Sequence, residues 1–203
     1  MKTSSSGLRL LIVRQPDASG RRSRFVEALA QRTELVDVIY ARPSRLTRSM
    51  ILARTFHPRL ARWRSQAAFS QRSAMKQTEE VQRGLEKHRG DHNLILQFQT
   101  LCAPGSDRAG VPYAIYTDNT MALTQRHYPA WAPLSKRDAD RWLRFEAEIF
   151  RGAAATFTYS EFARRSVIED YGCPASSVLA AGAGANQALS SVEHRDYSAP
   201  RAL

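Results

Sequence analysis

The chain has 203 residues, of which 43% are hydrophobic and 24% are charged. This balance excludes a disordered chain and fits one folded domain of ordinary to large size. The formal net charge of +11 favours an anionic partner. No apolar run approaches the ~20 residues of a membrane-spanning helix. The run LRLLIV is interrupted by Arg9 and is too short for a secretory signal. We expect a cytoplasmic protein, with a peripheral position at the inner face of the membrane as the alternative.

The first segments predict a β-α-β unit. An apolar run over 8–13 is followed by the polar loop RQPDASG, by helical spacing over 23–31, and by a second strand over 36–40. Such an opening predicts a parallel sheet whose functional edge includes the loop after the first strand. Arg14 and Gly20 in that loop are therefore candidate substrate-binding residues.

Residues 42–90 carry most of the excess positive charge. They hold 12 Lys and Arg against Glu79, Glu80 and Glu86, a net charge of +9. Apolar spacing predicts two or three helices here, with Trp63 packed on the sheet. Two interpretations stay open for the basic face. It is either a solvated arginine-rich surface or a surface for an anionic membrane or a phosphate-bearing acceptor, with nucleic acid as the less favoured partner.

Two further strands are predicted over 93–98 and 113–117, and Asp118-Asn119-Thr120 follow the second one directly. A long loop with His127 comes next. Ser135 and Asp138 form the aspartate variant of a capping box. The helix that they open is expected to end near Gly152.

The stretch 153–186 predicts a strand, a capped helix and a second strand. Ser160 is the expected N-cap, Glu161 lies in the first turn, and Gly172 takes the C′ position. A last strand over 178–181 leads into GAGAN. The chain then has about six strands joined by helices or long loops. It predicts a Rossmann-like α/β fold, a parallel sheet flanked by helices that binds ligands at the carboxyl ends of its strands.

Chemistry-bearing residues are few. Asp118 could position or deprotonate a hydroxyl nucleophile, and its alternative is an Asx-turn that ends the strand. His127 could orient a group or accept a proton, and its alternative is a surface residue. Cys102 and Cys173 form neither a metal-ligand pattern nor a disulfide framework, and we expect both to be structural. The sequence predicts no metal site, and the GxGxxG, Walker and HExxH motifs are missing.

A resemblance emerges from several of these segments together. The stretch VPYAIYTDNT, a tryptophan-bearing loop, the stretch ExxIFRGAAATFTYSEFARRSVIEDYGCPASSV and a small GxxxN loop resemble the N-terminal half of a retaining glycosyltransferase. The family is the family 4 type with the two-domain GT-B architecture. The resemblance covers roughly residues 90–186 well and the first 40 residues loosely. Residues 42–90 carry no recognisable signature of that family.

The resemblance implies that this half holds the acceptor, while a second Rossmann-like domain binds the nucleotide sugar. Residues 1–186 would form the acceptor-side domain, and 187–203 would be a linker towards a C-terminal donor domain that a partner chain could supply. No cofactor is expected, since the nucleotide sugar is a donor substrate. The isolated chain is expected to fold and to be inactive alone.

The implied site lies at the ends of two strands. Asp118 would contact the acceptor hydroxyl, supported by Asn119, Thr120 and His127, and Ser160 and Glu161 would line the cleft at the next strand. Gly20 would contact the donor phosphates in part. The alternative function is a non-catalytic α/β module that binds nucleic acid or anionic lipid through residues 42–90. A different nucleotide-dependent α/β enzyme is disfavoured by the missing phosphate loops.

Overall fold

The computed structural model describes residues 7–16, 24–104 and 110–183. In this part of the chain a six-stranded sheet has the order β2-β1-β3-β4-β5-β6, and every neighbouring pair is parallel. The predicted Rossmann-like α/β class is confirmed. The elements in chain order are β1 (Arg9–Arg14), α1 (Arg24–Ala30), β2 (Glu34–Tyr40), α2 (Arg45–Arg54), α3 (Leu60–Ala68), α4 (Gln71–Lys87), β3 (Leu94–Phe98), β4 (Tyr113–Thr117), α5 (Met121–His127), α6 (Lys136–Gly152), β5 (Ala155–Thr158), α7 (Glu161–Glu169) and β6 (Val178–Ala180).

The sheet is covered by helices on both faces. Leu11 and Val13 of β1 point into a core shared with α4, α6 and α7, whereas Leu10 and Ile12 point to the opposite face, where α1 packs. Burial on both faces explains why the central strands are continuous apolar runs rather than alternating ones.

The direction of strand addition reverses between β1 and β3. The chain adds β2 on one side of β1 and then crosses back to add β3 and the later strands on the other side. In open parallel sheets, such a reversal opens a crevice at the carboxyl ends of the two strands. This places the loops after β1 and β3 at the expected ligand-binding position.

The helix caps and the C′ glycine that the sequence predicted are present in the structure. The Ser135 and Ser160 hydroxyls accept hydrogen bonds from the N–H groups of Asp138 and Ala163, and so cap α6 and α7. Gly172 follows α7 with a φ of +69°, in the left-handed region that a glycine adopts without strain.

The structure differs from the sequence-based expectation in two places. The loop expected after Asp118 contains the helix α5, because the Thr120 hydroxyl accepts the N–H of Leu123 and caps it. Trp63 packs against α2 rather than on the sheet, since its indole N–H donates to the Leu52 carbonyl.

Some expectations cannot be compared with the fold. Gly20, most of the GAGAN loop and the predicted linker over 187–203 lie outside the described residues. Among the helices that are described, none combines the length and the apolar character needed to cross a bilayer.

Candidate functional site

The carboxyl ends of β1, β3, β4 and β5 bring a small polar cluster to one edge of the sheet. Arg14 ends β1, Gln99 follows β3, Asp118 follows β4, and Tyr159 follows β5. We call Arg14, Gln99, Asp118, Tyr116 and Tyr159 the edge cluster. Because parallel strands end at a common edge, residues far apart in sequence meet here.

Gln99 holds the Asp118 carboxylate. Its side-chain N–H donates to Asp118 Oδ1 at 2.8 Å, and its side-chain oxygen accepts the Thr117 hydroxyl at 3.1 Å. Within the described residues the second Asp118 oxygen accepts no hydrogen bond, and the residue is exposed. A carboxylate oriented by one oxygen and open at the other is suited to accept a proton or a hydrogen bond from a ligand hydroxyl.

The backbone at Gln99 is strained, and a buried residue holds it there. Gln99 has a φ of +64°, a conformation that costs a non-glycine residue on the order of 1–3 kcal/mol. Gln97 is fully buried and its side-chain N–H donates to the carbonyls of Gln99 and Cys102, at 2.9 and 2.7 Å. These bonds satisfy a buried amide and fix the loop that presents Gln99.

Two tyrosines of the edge cluster, Tyr116 and Tyr159, are joined by a hydrogen bond. The Tyr159 hydroxyl donates to the Tyr116 oxygen, and the Tyr116 hydroxyl donates to the Gly182 carbonyl at 2.9 Å. Burial, assisted by Tyr116 and by the charge of Asp118, raises the pKa of Tyr159 to about 12, while Arg14 opposes the rise. Both phenols therefore stay protonated at neutral pH and serve as hydrogen-bond donors.

Arg14 supplies the positive charge of the edge cluster. Its guanidinium lies 5.8 Å from the ring centre of Phe98 and its Nε donates to the Gln15 carbonyl at 3.2 Å. Phe25 of α1 in turn packs against Phe98 and stacks on Tyr116. The aromatic packing holds a cation at the same sheet edge as Asp118, and both charges lie close enough to Tyr159 to affect its pKa, so an ionised group and a hydroxyl of one ligand could both be bound here.

The buried carboxylate of Glu146 holds the loops that follow β3 and β4. Glu146 of α6 is 3% exposed and accepts the Thr100 hydroxyl at 2.5 Å, the Met121 N–H at 2.9 Å and the Tyr171 hydroxyl. Burial raises the pKa of Glu146, and the three donors partly offset this rise. The carboxylate thus ties the loops after β3 and β4 to α6 and to the end of α7.

The predicted site residues occupy three kinds of position. Arg14 and Asp118 belong to the edge cluster. Asn119 donates to the Thr124 hydroxyl at 2.9 Å, and the Thr120 hydroxyl is buried, where it contacts Ser166 at 2.7 Å; both therefore support the loop. The hydroxyl of Ser160 caps α7.

His127 and Glu161 lie away from the Asp118 carboxylate. His127 ends α5, on the order of 10 Å from the start of that helix, and its ring lies 5.3 Å from that of Phe162. The Glu161 carboxylate is exposed and lies 3.3 Å from Arg164. The structure therefore places Arg14 and Asp118 at the same edge of the sheet, each near Tyr159, and leaves His127 outside the edge cluster.

An open pocket of about 730 Å³ adjoins the edge cluster, at the carboxyl ends of β1 and β2. It is bounded by α2, α3 and α4, and we call it the helical pocket. Gln15 and Gln77 meet at its base with a 2.9 Å hydrogen bond, and Arg42 and Arg48 contribute its cations. Among the described residues that line it, none carries a carboxylate. Such a pocket favours a ligand with an apolar part and an anionic group.

Two residues of the site that were not predicted, Gln97 and Glu146, are marked by weaker sequence signals. Gln97 is a polar residue inside the apolar run NLILQF, which indicates a buried amide with a specific partner. Glu146 lies four residues after Trp142 and three before Ile149, and hence on the buried face of α6. At both positions a polar residue stands where the local pattern predicts a buried apolar one, which indicates a buried hydrogen-bonding group.

Cys102 and Cys173 are buried. Burial raises the pKa of the Cys102 thiol to about 12, so this thiol is inert at neutral pH. Neither cysteine belongs to the edge cluster or lines the helical pocket.

Comparison with solved structures yields a distant structural likeness. No protein-family model matches the chain, and no curated protein matches it. The chain is similar to the structure of a UDP-N-acetylglucosamine 2-epimerase from Rickettsia bellii, with 14% sequence identity and a TM-score of 0.48. The match covers 86% of this chain and 44% of the epimerase, so the chain spans less than half the length of that protein. The likeness concerns the path of the backbone and identifies no substrate.

Proposed function

We propose that the chain is the acceptor-binding half of a retaining glycosyltransferase that moves a sugar from a nucleotide sugar to a hydroxyl. The observation that carries the proposal is the open Asp118 carboxylate, which Gln99 holds at the same sheet edge as Arg14. The sequence resemblance over 90–186 supports the same assignment. Asp118 accepts the hydrogen bond of the acceptor hydroxyl, and the Tyr159 oxygen, whose own hydrogen is donated to Tyr116, can accept a second hydrogen bond from the ligand.

The transfer itself needs little acid-base help from this half. The bond between the sugar carbon and the diphosphate breaks, and the acceptor oxygen bonds to the same face of that carbon. The acceptor proton passes to the leaving phosphate. The chief demand is stabilisation of the diphosphate charge. Arg14 contributes one cation to that task, and the second domain contributes the rest.

The helical pocket indicates the class of acceptor. Arg42 and Arg48 favour a phosphate or carboxylate, and the apolar walls formed by α2 and α3 favour a hydrocarbon portion. We therefore propose an amphiphilic acceptor that carries both an anionic group and a free hydroxyl. A purely polar sugar would leave the apolar wall uncovered.

Titration calorimetry with three probes tests this proposal. We expect affinity to rise from glycerol to glycerol 3-phosphate and again to short-chain lysophosphatidic acid, which adds an acyl chain. The double change Arg42→Gln with Arg48→Gln weakens binding of both phosphates by on the order of 10-fold or more. Asp118→Asn weakens the binding of all three probes, because each of them carries a free hydroxyl.

The matched control is Lys76→Gln with Arg83→Gln, which removes the same charge from α4. Equal loss in this control, or equal affinity for all three probes, contradicts the proposal. Binding that is unchanged by Asp118→Asn and by Arg42→Gln with Arg48→Gln contradicts it as well.

A further inference from the structure

Exposed apolar side chains are concentrated on one helical hairpin. We define the α2–α3 hairpin as residues 44–69. Leu46 and Phe56 expose 79% and 69% of their surface, and Met50 and Leu60 each expose more than half. Leu46 and Met50 are four residues apart on α2, so they share one helix face. Large apolar groups left in water at this density mark an interaction surface.

The charge of the hairpin has a single sign. From Ala41 to Thr78 the sequence contains no Asp or Glu. In the described part of the chain no arginine of the hairpin forms an ion pair. On α4 and just after its end, by contrast, Lys76, Arg83 and Arg89 each pair with a glutamate three residues away. Glutamates thus neutralise much of the positive charge of the α4 region, whereas the arginines of the hairpin have no ion-pair partner among the described residues. The exposed arginines of the hairpin are Arg45, Arg48, Arg54, Arg59 and Arg64.

The two helices of the hairpin are joined to each other by side-chain contacts, and both helices pack against α4, so the exposed groups keep their positions. The Trp63 indole donates to the Leu52 carbonyl at 2.8 Å, and the Phe56 ring lies 5.5 Å from that of Trp63. Ser44 caps α2, and Ile51 is buried beneath it. Leu46 and Met50 consequently point away from the core that Ile51 enters.

We propose that the α2–α3 hairpin docks the protein on an anionic lipid bilayer. Its arginines would contact the head groups and Leu46, Met50, Phe56 and Leu60 would enter the boundary with the acyl chains. Nucleic acid would satisfy the same arginines, but its phosphates would leave these aliphatic side chains in water. The combination of both kinds of group therefore favours the bilayer.

This inference is independent of sugar transfer. Arg45 and Arg54 do not line the helical pocket, whereas Arg48 does. Changes at Arg45 and Arg54 can therefore abolish docking while acceptor binding in the helical pocket persists, and the two proposals can fail separately.

Vesicle co-sedimentation with the full chain tests the docking. We expect binding to phosphatidylcholine vesicles that contain phosphatidylserine, weaker binding without it, and a decrease with added salt. Arg45→Gln with Arg54→Gln lowers the affinity roughly 25-fold, at about fivefold for each arginine near the surface. Leu46→Ser with Met50→Ser lowers it by roughly 10-fold or more through lost apolar burial.

Matched variants on α4 provide the controls. Lys76→Gln with Arg83→Gln removes the same charge, and Met75→Ser removes an exposed apolar side chain. Both variants are expected to bind like the parent. Equal losses in the α4 variants, or no binding to phosphatidylserine vesicles, overturn the proposal. So does tight binding of duplex DNA or RNA that Leu46→Ser with Met50→Ser leaves unchanged.

Discussion

Two regions of the molecule use their polar and apolar residues in opposite ways. Beneath the edge cluster, Glu146, Thr120 and Tyr171 are buried in a closed hydrogen-bond network. On the α2–α3 hairpin, arginines and apolar side chains are both exposed. The first region fixes the shape of a site, and the second offers a surface to a partner. Substitutions in the first should therefore lower stability, and substitutions in the second should change binding.

The largest expected effect is at Glu146. Replacing it with alanine leaves the Thr100 hydroxyl, the Tyr171 hydroxyl and the Met121 N–H without their buried acceptor. We expect the free energy of unfolding to fall by about 3–5 kcal/mol in urea titrations. Glu148→Ala, an exposed glutamate of the same helix, is the control and should change it by less than about 0.5 kcal/mol. Equal effects of the two changes would show that the network contributes little.

Trp63→Ala should loosen the hairpin without affecting the sheet. It removes the hydrogen bond to Leu52 and the contact with Phe56, so we expect faster amide hydrogen exchange in α2 and unchanged exchange in β4 and β5. Trp131→Ala removes an exposed ring stacked on Tyr128 and should leave α2 unchanged. Faster exchange throughout the sheet would mean that the hairpin is part of the main core.

The stability should depend on pH through Glu146. Its pKa in the folded protein is raised above the ordinary 4.5. The contribution is complete below the unfolded-state pKa and is lost as pH rises through the folded-state pKa, at about 1.4 kcal/mol for each unit of difference. Glu146→Gln should flatten this part of the curve of unfolding free energy against pH. A profile identical to that of the parent protein would contradict a raised pKa.

The smallest effect on stability is expected at Asp118. Its carboxylate is exposed and has one hydrogen bond, from Gln99, so Asp118→Asn should change the free energy of unfolding by less than about 0.5 kcal/mol. Acceptor binding should nevertheless fall. A large loss of stability would assign Asp118 to the supporting structure instead.

The strands and helix caps could be predicted from the sequence, whereas the buried hydrogen bonds of Gln97 and Glu146 could not. Capping residues such as Ser135 and Ser160, and the C′ glycine Gly172, act within a few residues of their own position, so local patterns reveal them. Gln97 and Glu146 bond to residues that are distant in the chain or lie in an irregular loop. Their partners depend on the packed fold, and one sequence shows only that a polar residue interrupts an apolar pattern.

The same limit applies to the candidate site. Asp118 was recognisable because it follows an apolar strand directly, and Arg14 because it ends the first one. His127 was grouped with Asp118 because the segment between them was expected to be a loop. The helix α5 carries it away instead. Trp63 was assigned to the sheet, since nothing local distinguishes packing on a helix from packing on a strand.

The most direct test of acceptor binding at the strand ends is amide NMR of the full chain titrated with short-chain lysophosphatidic acid below its micellar concentration. We predict shift changes at Gln15, Arg42, Arg48, Gln99 and Asp118, lost together in Asp118→Asn with Arg48→Gln. No shift changes at these positions, or changes confined to α4 and α6, would contradict an acceptor site at this edge of the sheet.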